Sequence, residues 1–315
     1  MYIIRGILVG ILKIIFGIPL ALVILTACSS KNEYSFVKME NSQIDHVHGV
    51  GYTNGGDEFV VATHYGLYQY GKDGWKEANS EKHDYMGFSA VREGFYASGH
   101  PEQGSKLENP LGLIKSTDRG ATLDQLAFYG EIDFHYLTAG YDSNVVYVFN
   151  ETPNKKLKGG LNYSLDEGKT WIEATMSGLN ITNISNIAAH PSKEELLLVG
   201  SKEGIYISKD FGQNFSILNS TQMVTYIALT ETGGYYTYFD VSKVYLKSFS
   251  LEKGLEKNIE LPEEIMTDPI IFIASNPNNE NEIVIITDKL NIYKSKDKGL
   301  NWGELAFNGK LTSNK

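Results

Sequence analysis

A repeated turn motif constrains the fold of this chain more than any other feature. Four segments share the pattern Ser-x-Asp-x-Gly, and their serines are separated by 48, 44 and 87 residues, the last interval being two periods. We call each such segment a box. The residues that define the boxes are Ser116, Asp118 and Gly120; Ser164, Asp166, Gly168 and Trp171; Ser208, Asp210 and Gly212; and Ser295, Asp297, Gly299 and Trp302. A period in this range predicts a propeller or another repeat architecture.

Two weaker copies complete the series. One period after Ser208 lies Ser250-Leu-Glu252-Lys-Gly254, and one period before Ser116 lies a shortened copy, Lys72-Asp73-Gly74-Trp75. Each unit also contains four short apolar, β-branched or aromatic runs separated by turn residues, which is typical of a propeller blade. The sequence therefore predicts an all-β protein, a propeller of about six four-stranded blades, in preference to seven.

The box residues suit a tight hairpin. The Asp carboxylate and the Ser hydroxyl can accept backbone N–H bonds across the turn, and Gly tolerates a positive φ. All three tryptophans of the chain follow a box or its shortened copy, where an indole can pack between neighbouring sheets. We therefore expect a structural role for the box carboxylates, and we look for function elsewhere.

The N-terminus predicts export and lipidation. A basic start and a long apolar run lead to Leu25-Thr26-Ala27-Cys28, the order of a secretory signal that ends at a lipidated cysteine. Cys28 is the only cysteine, so no disulfide can form within the chain. The predicted organisation is a signal peptide over 1–27, a lipidated Cys28 and tether over 28–41, one propeller over 42–310, and a tail over 311–315.

Charge narrows the choice of partner. Removal of the signal peptide takes the formal charge from −10 to −12, because Arg5 and Lys13 leave with it. An acidic surface repels phosphate backbones, so we expect no nucleic-acid partner. The expected partners are the membrane, through the lipid on the extracytoplasmic face, and a glycan, peptide or cell-surface protein. We expect a monomer.

The box pattern resembles the Asp-box (BNR) repeat of sialidases, sortilin-type receptors, xyloglucanases and photosystem assembly factors. With its lipidation motif and the runs His46-Val-His48-Gly49 and Ser98-Gly-His100-Pro101, nearly the whole mature chain resembles a group of Gram-positive lipoproteins that are glycosyl-hydrolase-like. The resemblance implies Asp-box turns in the blades of a propeller. It implies no particular activity, because Asp boxes occur in enzymes and binding proteins alike.

Histidines mark one predicted rim of the central channel. In a propeller, the innermost strands start at the rim that also holds the turns between second and third strands, and the boxes lie on the opposite face. Six of the seven histidines fall in the first three units. The predicted ligand-binding residues on or just inside this rim are His46, His48, His64, His83, His100, His135 and Glu151. His190, at the opposite turn, is predicted to be structural.

Two long segments belong to the same rim. The stretches 99–111 and 151–160 interrupt strand pairing, and insertions on one face of a repeat array commonly build a binding surface. Exposed tyrosines there would suit sugar stacking or peptide contact; the candidates are Tyr65, Tyr68, Tyr85 and Tyr136, for each of which packing between blades is the competing interpretation.

Three functions fit this rim. A binding protein is favoured. A glycoside hydrolase is the first alternative, with Asp84, Asp133 and Glu102 as the candidate catalytic carboxyls. It would not be a sialidase, because only Arg92 and Arg119 remain after signal removal, and such enzymes grip the substrate carboxylate with three arginines. The second alternative is a metal-binding lipoprotein that holds zinc or copper with His46, His48, His64 and His100.

Overall fold

The computed structural model describes residues 33–39, 43–220, 222–254 and 256–312. The predicted signal peptide and Cys28 therefore lie outside the described residues. Within these ranges no helix is long and apolar enough to cross a bilayer. The described helical structure is one 3-10 turn, Glu263–Ile265.

Six antiparallel sheets are arranged as the blades of a propeller, which confirms the predicted fold. Blade 1 contains β1 (Phe36–Lys38), β2 (Val47–Tyr52), β3 (Phe59–Thr63), β4 (Gly66–Gly71) and β5 (Gly74–Ala78). Blade 2 contains β6 (Asp84–Val91), β7 (Gly94–His100), β8 (Leu113–Ser116) and β9 (Asp124–Ala127). Blade 3 contains β10 (Tyr136–Ala139), β11 (Val146–Asn150), β12 (Gly160–Ser164) and β13 (Ile172–Glu173).

The second half repeats the same order. Blade 4 contains β14 (Ile184–Ala189), β15 (Leu197–Ser201), β16 (Gly204–Ser208) and β17 (Ser216–Ser220). Blade 5 contains β18 (Met223–Leu229), β19 (Gly233–Asp240), β20 (Lys243–Ser250) and β21 (Glu256–Ile259). Blade 6 contains β22 (Ile270–Asn276), β23 (Asn279–Thr287), β24 (Ile292–Ser295), β25 (Gly303–Phe307) and β26 (Lys310–Leu311). The inner strands are β2, β6, β10, β14, β18 and β22.

The core is divided into six apolar clusters, one between each pair of adjoining blades. This division follows from the sequence, because a blade with two apolar faces must bury each face against a neighbour. The ring closes where blade 1 meets blade 6. There the Ile44 amide donates to the Gly309 carbonyl at 2.8 Å, and Trp75 Nε1 donates to the Leu305 carbonyl at 3.1 Å.

Both ends of the propeller extend beyond the predicted boundaries of 42 and 310. Strand β1 lies in the segment predicted as a tether and pairs with the outer strand β5, so it covers the edge of blade 1. At the other end, Leu311 pairs with Ala306, and the Thr312 amide donates to the Leu305 carbonyl at 3.0 Å. Backbone pairing sets both limits. The paired segments are only two or three residues long, so they show no recognisable strand pattern in the sequence.

All four boxes adopt one geometry. In the box that starts at Ser164, the Ser hydroxyl accepts from the Gly168 amide at 2.7 Å and donates to an Asp166 oxygen at 2.8 Å. The same carboxylate accepts from the Thr170 amide and hydroxyl at 2.8 and 2.7 Å. The residue before the glycine also has a positive φ, 59° at Glu167, so two left-handed residues make the turn.

Candidate functional site

The rim where the inner strands begin carries a group of histidines and carboxylates from blades 1 to 3. These side chains come from β2, from the turn between β3 and β4, from the start of β6, from the end of β7 and from the segments that flank β10 and β11. The structure gathers them into two clusters.

The first cluster, which we call the triad, consists of His48, His64 and Asp84. His48 Nε2 lies 3.2 Å from His64 Nδ1 and 3.3 Å from Asp84 Oδ1. His64 Nδ1 lies 2.7 Å from Asp84 Oδ2. In the part of the chain that the structure describes, this is the one group whose ligand atoms lie close enough together to hold a metal ion.

Local backbone features place each member of the triad. Val47 pairs with Thr63 and Gly49 with Ala62, so His48 is the extra residue of a β-bulge. Such a bulge re-aims one side chain without ending the strand. His64 sits in the tight β3–β4 turn, where Thr63 Oγ1 accepts from the Tyr65 amide at 3.0 Å. Asp84 opens β6.

The triad is partly shielded from water. The side chains of His48 and Asp84 are 16% and 17% exposed, and that of His64 is 38% exposed. Burial lowers the pKa of His48 to about 4, against the opposing effect of Asp84 and with smaller contributions in the same direction from His64, His46 and His135. His48 is therefore neutral at pH 7 and offers a nitrogen lone pair. Asp84 Oδ1 is buried and accepts no hydrogen bond.

His46 stands beside the triad. Its ring centroid lies 4.8 Å from that of His64, at an interplanar angle of 54°. The side chain is exposed, and the backbone has a φ of 45°, which residues with a Cβ rarely adopt. Such strain recurs at functional sites. His46 is thus a further imidazole at the triad, although it makes no direct contact with Asp84 in the structure.

The second cluster is centred on Asp133, just before β10. Asp133 Oδ2 lies 3.1 Å from His135 Nε2 and 3.4 Å from His100 Nε2. His135 Nδ1 lies 3.3 Å from Glu151 Oε2, and His100 Nδ1 lies 2.6 Å from Asn109 Oδ1. The other oxygen of Asp133, like that of Asp84, is buried and accepts no hydrogen bond. Because His100 pairs with Asp84 across β6 and β7, the two clusters are neighbours.

The structure divides the predicted metal set. His48 and His64 lie together and His46 lies beside them, but His100 belongs to the second cluster. The ligand missing from the predicted set is Asp84, which was expected to be catalytic. In the aligned repeats Asp84 corresponds to His46, but the sequence does not indicate the bulge that turns His48 towards Asp84.

His83 and Glu102 do not join either cluster. His83 is fully buried; its Nδ1 accepts from the Glu102 amide at 3.0 Å, and its Nε2 lies 3.2 Å from Glu81 Oε2. Glu102 Oε2 accepts from the Lys82 amide at 2.8 Å. With these groups occupied, His83 and Glu102 anchor the loop that follows β7, and the structure gives neither a place in a binding or catalytic centre.

The tyrosine candidates separate by burial. Tyr68 and Tyr85 are buried in the interfaces of blade 1 with its two neighbours, and the Tyr136 hydroxyl donates to the Ile184 carbonyl at 3.1 Å. Tyr65 is 61% exposed and follows His64 in the β3–β4 turn. Of the four, Tyr65 is the one that offers an exposed ring at the rim. His190 is buried and accepts from the Ser192 and Lys193 amides, which fits the structural role predicted for it.

A cavity of about 640 Å³ lies away from these clusters, lined by the carboxyl-terminal halves of the inner strands. Small side chains such as Ala90, Ala139 and Ala274 line its wall, and no histidine does. The cavity is therefore the opposite part of the channel, and its lining does not contribute to the triad or the second cluster.

Comparisons with known proteins support the fold. No family model matches the chain, and no curated protein sequence matches it either. Among solved structures, the chain is similar to the GH74 enzyme of Niastella koreensis (TM-score 0.58, 16% identity), with 86% of this chain and 46% of the enzyme covered. It is also similar to an ancestral GH74 enzyme (TM-score 0.53, 14% identity), with 88% and 39% covered.

A third similar structure is that of YCF48 bound to D1 peptide, with a TM-score of 0.50 and 14% identity; 87% of this chain and 85% of that one are covered. The chain thus spans less than half of the GH74 enzymes but most of YCF48. At these identities the comparisons show the fold alone. The protein is a six-bladed β-propeller whose fold is similar to those of GH74 enzymes and YCF48, with two clusters of histidines and carboxylates on one rim.

Proposed function

We propose that this protein is a lipid-anchored, extracytoplasmic binding protein whose ligand, a peptide or glycan segment of a cell-surface partner, docks on the rim of blades 1 to 3. The observation that carries the proposal is the concentration of the two clusters on this half of one rim. A repeat fold does not require that asymmetry, because each blade could be completed by the same structural turn.

The two long loops support binding. In the first, the Leu111 amide donates to the Gly99 carbonyl at 2.7 Å and closes the loop at its base. In the second, Asn150 Nδ2 donates to the carbonyls of Leu157 and Lys158 at 3.2 and 3.1 Å. Loops that are ordered by their own hydrogen bonds lose little conformational freedom when a ligand binds.

The contacts of the candidate carboxyl groups support a binding function better than they support glycoside hydrolysis. A glycosidase needs two carboxyls that face each other across the scissile bond. Asp84 and Asp133 instead each contact two imidazoles, and Glu102 is held by the loop anchor. Peptide binding also has a precedent in the fold, since the similar YCF48 structure, a propeller of comparable length, holds a D1 peptide.

Photo-crosslinking in intact cells tests the binding rim. A photoreactive phenylalanine in place of Tyr65 should give a discrete adduct with a surface protein, and the His100→Ala/His135→Ala background should abolish that adduct. Val241 is the matched control, because it is 94% exposed in a second-to-third-strand turn of blade 5 on the same face. An adduct from both positions, or one that survives the histidine changes, would contradict a specific site at this rim.

Glycan binding is the other arm of the same test. If Tyr65 gives no protein adduct, a glycan array probed with the wild-type protein and with the His100→Ala/His135→Ala variant decides between a glycan ligand and none. The absence of binding in both arms would overturn the proposal. Hydrolysis of arrayed glycans that is lost in both Asp84→Asn and Asp133→Asn variants would replace it with the hydrolase alternative.

The lipid anchor is tested separately. Metabolic labelling with a radioactive fatty acid should mark the wild-type protein and not a Cys28→Ala variant, and protease added to intact protoplasts should degrade the wild-type protein. Labelling that persists without Cys28 would contradict anchoring at that residue.

A further inference from the structure

We propose that His48 Nε2, His64 Nδ1 and the carboxylate of Asp84 form a binding site for one divalent transition-metal ion, Zn²⁺ or Cu²⁺. The proposal goes beyond ligand docking, and it does not depend on which ligand the rim binds. It rests on the convergence of the three groups, their partial burial and the nature of the donor atoms.

The spacing suits a metal ion. Metal–nitrogen and metal–oxygen bonds of about 2.0–2.1 Å in a tetrahedron separate neighbouring ligand atoms by about 3.3 Å. His48 Nε2 lies 3.2 Å from His64 Nδ1 and 3.3 Å from Asp84 Oδ1. His64 Nδ1 comes closest to the carboxylate at its other oxygen, Asp84 Oδ2, at 2.7 Å, so the triad must open slightly to admit the ion.

Hydrogen bonding alone leaves the triad incomplete. A proton on His64 Nδ1 accounts for its short contact with Asp84 Oδ2. That proton cannot serve the other carboxylate oxygen, Oδ1, which is buried and makes no hydrogen bond, although His48 Nε2 lies 3.3 Å from it. A cation between the three groups would satisfy the two ring nitrogens and the carboxylate together.

The donor set selects the class of metal. Two imidazoles and one carboxylate are ligands that divalent transition metals such as zinc, copper and non-haem iron bind in proteins, whereas Ca²⁺ and Mg²⁺ prefer sets of oxygen atoms. Three protein ligands leave further positions open, as in zinc sites that accept water or a substrate group. His46, with its ring 4.8 Å from that of His64, is the side chain placed to flank an open position.

Metal titration of the full chain, untagged and solubilised in detergent, tests the site. After treatment with a chelator, isothermal titration calorimetry with Zn²⁺, and separately with Cu²⁺, should show one site per chain, and the metal should raise the Tm because it binds the folded state. We expect His64→Ala and Asp84→Ala each to lower the affinity by about 100-fold or more, since each removes a ligand.

His100→Ala is the matched control, because His100 lies on the same rim and contacts a carboxylate in the same way but is outside the triad. Its affinity should stay within about threefold of wild type. The electron paramagnetic resonance spectrum of the Cu²⁺ form should show nitrogen ligation that changes in His64→Ala and not in His100→Ala, a readout that a purely structural role would not affect.

Two results would overturn the proposal. One is that neither metal binds the folded wild-type protein when added at a 100-fold molar excess over the protein. The other is an equal loss of metal affinity in His64→Ala and His100→Ala. Metal binding and ligand docking are separable, because the adduct at Tyr65 is scored in the His100 and His135 background, which leaves the triad intact.

Discussion

The two faces of the propeller use aspartate in opposite ways. On the box face, four aspartates occupy equivalent turns, and each accepts hydrogen bonds from the Ser two residues before it and from the backbone and side chain four residues after it. On the rim face, Asp84 and Asp133 occur only in blades 2 and 3, contact histidines, and each keep one buried oxygen without a hydrogen bond. The box aspartates are satisfied, whereas Asp84 and Asp133 each keep an oxygen without a hydrogen bond.

Blade 6 shows that rim position alone does not explain the difference. Asp268, just before the inner strand β22, is 1% exposed and accepts from Asn291 Nδ2 at 2.7 Å and from the Lys289 amide at 3.2 Å. Asp268 therefore accepts its hydrogen bonds from within its own blade, as the box aspartates do. The comparison shows that position on the rim does not decide whether a buried carboxylate is paired, because Asp268 finds donors in its own blade while Asp84 and Asp133 each keep one oxygen without a hydrogen bond.

The largest effect on stability is expected at Asp268. Asp268→Ala removes two acceptors and leaves the Asn291 amide without its partner in the protein interior, so it should lower the free energy of unfolding by about 3 kcal/mol. Urea denaturation measures this loss. Asp268→Asn, which keeps one acceptor, should recover part of it; an Ala variant as stable as wild type would erase the contrast between blade 6 and the triad.

A smaller loss is expected in a box. Ser164 is fully buried and links Gly168 to Asp166, so Ser164→Ala should cost about 1–2 kcal/mol. Ser250 occupies the same position in the degenerate copy of blade 5, where its hydroxyl accepts from the Lys253 amide at 3.2 Å. Ser250→Ala should cost less than about 0.5 kcal/mol. Equal costs at the two serines would show that the complete box adds nothing to the turn.

Acid should weaken the box face. Hydrogen bonds from the Thr170 amide and hydroxyl, then from Ser164, lower the pKa of Asp166 to about 2 from its ordinary 3.8. A lowered pKa means that the unfolded chain binds the proton more readily, so this contribution is complete above about pH 4 and is lost as the pH falls towards 2.

Thermal unfolding at several pH values measures this loss. The Tm difference between wild type and Asp166→Asn should be largest near pH 5 and should shrink steadily towards pH 2. A difference that does not vary over this range would contradict the hydrogen-bonded role of the carboxylate.

The smallest effect on stability is expected at the rim. Asp133→Asn keeps an acceptor for His135 and removes a charge whose second oxygen has no donor, so we expect the free energy of unfolding to stay within about 0.5 kcal/mol of wild type. The same variant should weaken the crosslink at Tyr65 if the second cluster binds the ligand. A stability loss as large as that of Asp268→Ala would place Asp133 among the structural aspartates.

The fold was predictable because its evidence is local and repeated. In blade 4, the apolar runs at 186–189, 195–199, 204–208 and 215–218 correspond to β14 to β17 within a few residues. Each box contains the residues that form its own turn, since the side chains that stabilise the turn lie within six residues of the serine. Strand β1 escaped prediction because three residues that pair with a distant edge carry no periodic pattern of their own.

The candidate site was predictable only in part. The alignment of the repeats predicts which blades and which rim carry the site, but not which side chains contact one another. His100 and His64 occupy comparable turns, yet in the structure they contact different carboxylates. One reason is close packing at Gly87, whose φ is 51° and where a Cβ would lie 2.2 Å from the Phe134 carbonyl. This approach brings β6 against the segment that carries Asp133 and His135, and nothing in the sequence around Gly87 indicates it.

By itself, the sequence determined the architecture, the number of blades and the half of the rim that is rich in histidine, because short-range turn chemistry and the burial of alternating apolar residues repeat every 44 residues or so. Only the tertiary structure decided that His48, His64 and Asp84 converge while His83 and Glu102 anchor a loop. This arrangement depends on a one-residue bulge and on contacts between blades. The three triad residues are 16 to 36 positions apart in the sequence, so packing rather than local sequence sets the distances of about 3 Å between their atoms.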